Sequence, residues 1–204
     1  MKIINHLLYN DDNTQVDFKQ TPNKDKRKMD LRYLVIHFTA GSSRQGAVNH
    51  FSKPESKASA HIVLDRDGSM TQCNAFNSVC YHAGTSAWKD ITGSLNLYSI
   101  GIELVNFGAL TQTADGKFWS WTGKEIPASQ VVMGRHPNGG KVKPWQTYTE
   151  KQLQVLEDLS KLLAKTYKLQ DVVGHENIAP DRKTDPGVAF HMDNFRARLF
   201  GRHE

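Results

Sequence analysis

The stretch VVGHENIAPDRKTDPG, residues 172–187, holds His175, Glu176, Asp181, Arg182, Lys183 and Asp185 between two apolar ends. It closes on Asp-Pro-Gly, which neither a helix nor a strand interior favours, so these ionisable groups belong to a loop. A hydrolytic zinc site needs three protein ligands and one open position for water. His175 and Asp185 are ten residues apart, and the loop between them can fold back and bring both onto one ion. The third ligand must come from elsewhere. His37 is the best candidate, because it ends the apolar run YLVIH, where α/β sheets place functional side chains. A hydrogen-bonded core histidine is the competing reading of His37.

Metal-assisted hydrolysis also needs a general base and a group that steadies developing negative charge. Glu103, in SIGIELVN, is a carboxylate in an otherwise apolar strand and is costly to bury without a task or a partner. The alternative is an outward-facing, solvated Glu on an edge strand. Lys183 stands two residues before Asp185 and can reach the open side of the same ion; otherwise it is a plain surface lysine.

Several elements must position these groups. YLVIHF (33–38) and YSIGIELVNF (98–107) read as core strands, and DVVGH (171–175) as a short one ending at its histidine. SAHIVLDRDGSMTQCNAF alternates around Asp67-Gly68, a hairpin signal. Ser42 or Ser43 caps a short helix. From Thr149 the pattern turns helical, with Leu153, Leu156, Leu159, Leu163 and Tyr167 on one face. A last helix covers AFHMDNFRARLF. Strands mixed with helices indicate an α/β fold, a single domain with a mixed central β-sheet flanked by helices. Residues 1–30 read as an N-terminal arm packed on a domain spanning 31–204. Within it, 108–148 lacks periodicity and reads as an insert near the substrate groove.

The 204 residues include 26 basic and 21 acidic ones, a net charge of +5 that suits either an anionic partner or simple solubility. The basic residues are scattered, with no basic helical stripe and no nucleic-acid-binding motif, so no nucleic-acid partner is expected. No run of about 18 apolar residues predicts a membrane span. MKIINHLLYNDDN shows no export signal. Cys73 and Cys80 fit neither a redox pair nor a zinc ribbon, and buried free thiols are favoured over a disulfide.

VIHFTAG, SAHIVLDRDG, YHAGTSAW, SIGIELVN and VVGHENIAPDRKTDPG occur in that order. Together they resemble the zinc-dependent N-acetylmuramoyl-L-alanine amidases of the type-2 amidase family, which includes phage amidase lysozymes and peptidoglycan recognition proteins. The resemblance implies zinc bound by His37, His175 and Asp185, with Glu103 as catalytic carboxylate and Lys183 beside the ion. It implies hydrolysis of the amide between the lactyl group of N-acetylmuramic acid and L-alanine, in peptidoglycan or muropeptides. Some relatives place a catalytic Tyr where this chain has Ala60, which shifts the burden to Glu103. The YHAGTSAW loop resembles the substrate rim, so Tyr81, His82, Ser86 and Trp88 are expected to contact sugar or stem peptide, as an aromatic face suits a pyranose. Trp119, Trp121 and Trp145 either wall the groove or pack the insert onto the core. His61 reads as structural. A non-catalytic peptidoglycan-binding module is the alternative, and the presence of all three ligand positions with Glu103 argues against it. Without an export signal, the same chemistry fits cytoplasmic muropeptide recycling, phage lysis, or a toxin delivered to the periplasm by a secretion machine.

Overall fold

The first thirty residues of the computed structural model, which describes residues 1–201, form a hairpin and two further short strands. These are β1 (Lys2–Ile4) with β2 (Leu7–Tyr9), then β3 (Asp17–Phe18) and β4 (Lys24–Asp25). Strand β5 (Tyr33–Phe38) is buried over all but its last residue and leads to α1 (Arg44–Phe51). The Ser43 hydroxyl accepts from the Gly46 N–H, satisfying one of the helix's orphan donors. Strands β6 (Ile62–Leu64) and β7 (Met70–Gln72) flank the Asp67-Gly68 turn as an antiparallel pair. Gly68 takes a φ of +87°, a conformation that favours glycine. β8 (Val79–Cys80) and β9 (Ser99–Leu104) follow.

Residues 108–148, read from sequence as aperiodic, contain several short paired strands joined by turns and loops. β10 (Thr111–Gln112), β11 (Phe118–Trp119) and β12 (Glu125–Ile126) form a three-stranded meander. β13 (Val131–Gly134) and β14 (Lys143–Gln146) form a hairpin. Strands of two to four residues are too short to display alternation, which is why the pattern is silent there. Thr149 then caps α2 (Glu150–Tyr167), its hydroxyl accepting from the Gln152 N–H. The chain ends through β15 (Asp171–Gly174), the single turn α3 (His175–Ile178) and α4 (Met192–Phe200).

The central sheet runs β15-β5-β9-β6-β7-β3. Its first four strands are mutually parallel, β7 is antiparallel to β6, and β3 lies parallel to β7. Side chains alternate between its faces. Leu34, Ile36, Ile100 and Ile102 face α2 and α4, packing on Leu156, Leu159, Leu163 and Phe195. Tyr33, Val35 and Val173 face the other way, onto Ala83, Ile91 and Leu95. Beyond them α1 covers β6 through Val48, Phe51 and Val63. Each such fully buried side chain contributes roughly 1.5–3 kcal/mol. His37, two residues after Val35, therefore emerges on the face away from α2. Among the described residues no helix is long and apolar enough to cross a membrane.

Candidate metal centre

Because β15 and β5 are parallel neighbours, their C-terminal ends lie side by side. β5 carries His37 one residue before its end, and β15 stops at Gly174, so that His175 opens α3. Asp185 returns from the loop that follows. His37 Nδ1 lies 2.9 Å from His175 Nδ1 and 2.9 Å from Asp185 Oδ2, and His175 Nδ1 lies 3.0 Å from that same oxygen. All three residues are buried.

Hydrogen bonds around the cluster select the donor atoms. His37 Nε2 is 3.0 Å from His82 Nδ1, and His82 Nε2 is 3.3 Å from the Ser99 carbonyl. His175 Nε2 is 3.2 Å from the Ala83 carbonyl. A carbonyl can only accept, so His82 and His175 carry their protons on Nε2, and His37 donates from Nε2 to His82. Each ligand histidine is left with a bare Nδ1 turned to the centre. Burial, with His175 next, lowers His37 to a pKa of about 4, so its ring is neutral near pH 7. For Asp185, burial acts upward, but the His175 and His37 ring nitrogens outweigh it and hold the carboxyl below its ordinary range. Two imidazole lone pairs and a carboxylate thus converge with no proton to share. Zinc ligand atoms bound tetrahedrally at about 2.0–2.1 Å stand roughly 3.3 Å apart, so relaxing the triangle by a few tenths of an ångström admits such an ion. The donor set fits a divalent cation.

The loop bearing Asp185 is held by groups to which the sequence reading gave no role. The Glu176 N–H donates to the Asp185 carbonyl at 2.8 Å, and Glu176 Oε2 accepts from the Gly187 N–H at 3.1 Å. The same oxygen lies 2.7 Å from His136 Nε2, and the Tyr148 hydroxyl donates to the Pro186 carbonyl at 2.8 Å. Trp145 stacks on His136 and is buried, so it packs the insert rather than walling a groove. A Cβ at Gly187, whose φ is +74°, would meet the Trp145 ring at 2.7 Å. Neither segment carries a sequence sign of this clasp, since His136 stands between Arg135 and Pro137 and Glu176 between His175 and Asn177. Arg182 is likewise spent on backbone, donating to the Ala83 and Thr85 carbonyls.

Glu103 is paired in register with His37 on the adjacent strand. β9 lies between β5 and β6, so the edge-strand alternative does not hold. Its Oε2 is buried with no hydrogen-bond partner. Burial first, then Asp185, raises its pKa well above the usual carboxylate value, and Lys183 offsets part of the rise.

A cavity of about 720 Å³ brings His37, His175, Asp185, Glu103 and Lys183 together, with Tyr81, His82 and Trp121 also on its wall. Two residues expected to contact substrate, Ser86 and Trp88, do not line this cavity. Ser86 is buried, its hydroxyl accepting from the Leu95 N–H, and Trp88 packs on the cluster of Tyr33, Val35 and Ile91. Both serve the loop's own packing. His82 borders the cavity but is 92 % buried, held over Gly101, where a Cβ would fall 2.5 Å from its ring. It orients His37, as outer-shell partners of metal ligands do. His61 Nδ1 accepts from the Gly101 N–H and its Nε2 faces the Ser78 carbonyl, a structural arrangement. Cys73 and Cys80 are free and buried, and burial pushes both thiols up to about 12.

A sequence model of the N-acetylmuramoyl-L-alanine amidase family, Amidase_2, matches residues 27–188. The 1,6-anhydro-N-acetylmuramyl-L-alanine amidase AmpD of Salmonella typhimurium (strain SL1344) is 32 % identical over 143 residues, covering 69 % of this chain and 57 % of its own. AmpD of Haemophilus influenzae is 26 % identical over 198 residues, covering 86 % and 88 %. The N-acetylmuramoyl-L-alanine amidase AmiD of Escherichia coli (strain K12) is 29 % identical over 169 residues, covering 78 % and 50 %. The chain thus spans about half the length of several curated relatives it matches. The crystal structure of an AmpD derivative superposes with a TM-score of 0.62 at 24 % identity, over 98 % of this chain and 99 % of that one. AmiD complexed with anhydro-N-acetylmuramic acid-L-Ala-D-gamma-Glu-L-Lys superposes with a TM-score of 0.61 at 24 % identity, over 93 % and 65 %. These two likenesses show a shared fold.

Proposed function

The chain belongs to the N-acetylmuramoyl-L-alanine amidase family, and from that premise we propose that it hydrolyses the amide between the lactyl group of N-acetylmuramic acid and L-alanine in peptidoglycan or muropeptides. The observation that carries this reading is the convergence of His37, His175 and Asp185 in one cavity with the unpartnered carboxylate of Glu103. Two imidazoles and one carboxylate suit zinc. Zinc held there would lower the pKa of water to about 7 and polarise the amide carbonyl.

The chain's own residues supply the rest. Glu103 takes a proton from the attacking water and returns it to the leaving amine of L-alanine. Its raised pKa suits a group that must both accept and give up a proton. Lys183 places its positive charge on the wall of the same cavity, where negative charge develops on the former carbonyl oxygen. His82 holds His37 in one tautomer, and the Glu176–His136 clasp holds the Asp185 loop.

The direct test is digestion of purified sacculi and soluble muropeptides side by side, with mass analysis of the products. The expected products are stem peptides with a free L-alanine amine and glycan left uncut. Cleaved glycosidic bonds or cut cross-links in their place would overturn the reading. The ratio of the two rates sorts the deployments, since recycling needs the soluble substrate and lysis or intoxication needs the polymer.

Lys183→Met keeps the bulk of the stem and removes the charge. It should lower turnover about a hundredfold, the usual cost of one lost oxyanion partner, with little change in KM. Lys183→Arg should recover only part, because a planar fork replaces a compact point charge. Metal content should stay normal in both. Single-turnover rates within about threefold of wild type for Lys183→Met would return Lys183 to the surface.

A further inference from the structure

Trp121 is 71 % exposed, the most of any large hydrophobic side chain among the described residues. Exposed side chains are ordinarily free to change rotamer, yet this indole is pinned. Its Nε1–H donates to the Ala40 carbonyl at 2.7 Å, which ties the turn between β11 and β12 to the loop after β5. Ala40 itself takes a φ of +51°, a left-handed conformation uncommon for a residue with a Cβ. The acceptor thus stands three residues beyond His37, and Trp121 lines the same cavity as the metal ligands. The polar edge of the ring is satisfied while most of its apolar surface remains in water.

We infer that Trp121 is the saccharide subsite, a platform on which the pyranose ring of the muramic acid stacks. This rests on the amide-hydrolase reading above. A pyranose offers a face of C–H groups to an indole while its hydroxyls stay hydrated. An indole already fixed by its N–H loses little further freedom on binding. The distribution of charge around the cavity sets the direction of the substrate. Arg182 lies where the 83–85 segment packs over β5 and β15, its guanidinium donating to the Ala83 and Thr85 carbonyls at the cavity wall. The loop leading into α1, with Trp121 and Thr122, adds uncharged groups to the cavity lining, and His50 of α1 lines it as well. A γ-linked glutamate, as in the ligand of the AmiD complex, leaves its α-carboxylate free, so a stem peptide of that kind is drawn to the cationic side. The uncharged part of the sugar is left to the indole, and the scissile amide falls between, over His37 and Glu103.

The test compares two amides with the same scissile bond: a muramoyl-tripeptide, and a D-lactoyl-tripeptide that lacks the ring. Trp121→Ala should raise KM for the muramoyl-tripeptide roughly five- to tenfold and leave kcat unchanged. The lactoyl-tripeptide should be hydrolysed as by wild type. Trp121→Phe keeps a stacking face without the bond to Ala40 and should recover part of the loss. Metal content should be normal in both variants, since Trp121 touches no ligand. Equal losses on the two substrates, or no loss on either, would overturn the platform. Calorimetric titration with peptide-free glycan strands gives a readout independent of hydrolysis. Wild type should bind them roughly five- to tenfold more tightly than Trp121→Ala, and equal or absent binding overturns the proposal. If wild type hydrolyses neither amide, the amidase reading falls and the glycan titration alone decides on Trp121.

Discussion

His175→Ala is expected to leave a folded protein that neither retains zinc nor hydrolyses its substrate. The argument starts from the ligand triangle, in which His37, His175 and Asp185 each contribute one atom. Removing an outer-shell partner typically costs about 10–100-fold in metal affinity, and removing one of three ligands costs more. Water entering the vacated space replaces an imidazole with a weaker ligand. His37→Ala and Asp185→Ala should behave alike, because no ligand is a spare. Activity and metal should fall together, and chelation of the wild type should reproduce the loss. A protein that binds a metal only when folded is stabilised by it. Added zinc should therefore raise the Tm of the chelated wild type and leave that of His175→Ala unchanged. Metal analysis, hydrolysis assays and thermal melts on the same samples check all three. A wild type that carries no metal and works in chelator would remove the mechanism altogether.

Much of this centre is legible in the sequence because it stands at the ends of two parallel strands, β5 and β15. YLVIHF and DVVG are dense apolar runs, so both are core strands, and adjacent parallel strands bring the residues at their ends together. The sequence offered His37 and His175 as the ends of two core strands that could meet at one sheet edge, and the adjacency of β5 and β15 brings them together. Asp185 followed from the slack of a loop rich in Pro and Gly. The capping residue Thr149 and the Asp67-Gly68 turn were equally local signals. What escaped was set by contacts between distant segments. Glu176 and His136 meet at 2.7 Å, and nothing within either segment announces the other. His82 points inward because Gly101, on a separate strand, leaves room for its ring. Ser86 and Trp88 lie outside the cavity lining for a related reason: the sequence of a loop shows its composition but not which side faces the groove. Only packing against Leu95 and Ile91 turns them inward. The short strands of the meander and of the β13–β14 hairpin exist through pairing and lack a periodicity of their own.

Glu103→Gln is expected to keep the fold and the metal while lowering turnover by about two to four orders of magnitude, the usual worth of a general base. Glutamine matches glutamate in shape, so β9 keeps its register with His37, but it cannot take a proton. The carboxylate stands ready for that task, since Oε2 is buried and makes no hydrogen bond that would hold it otherwise. Its titration gives the substitution a second signature. Burial, then Asp185, raises the folded pKa well above 4.5. Only the ionised form accepts a proton, so kcat/KM should fall as pH drops through that raised value. This acidic limb should be absent from the residual activity of the variant. Stability carries the opposite sign. The folded state holds this proton more tightly than the unfolded chain, so the associated stability is full below the unfolded pKa and is lost as pH rises through the folded one. With metal chelated, the stability of Glu103→Gln relative to wild type should therefore increase with pH across that window. A variant with full activity would assign Glu103 to structure alone. An unchanged acidic limb in the residual activity would place the titrating base on another group. Loss of activity together with a relative stability that grows with pH identifies one buried carboxylate as the source of both effects.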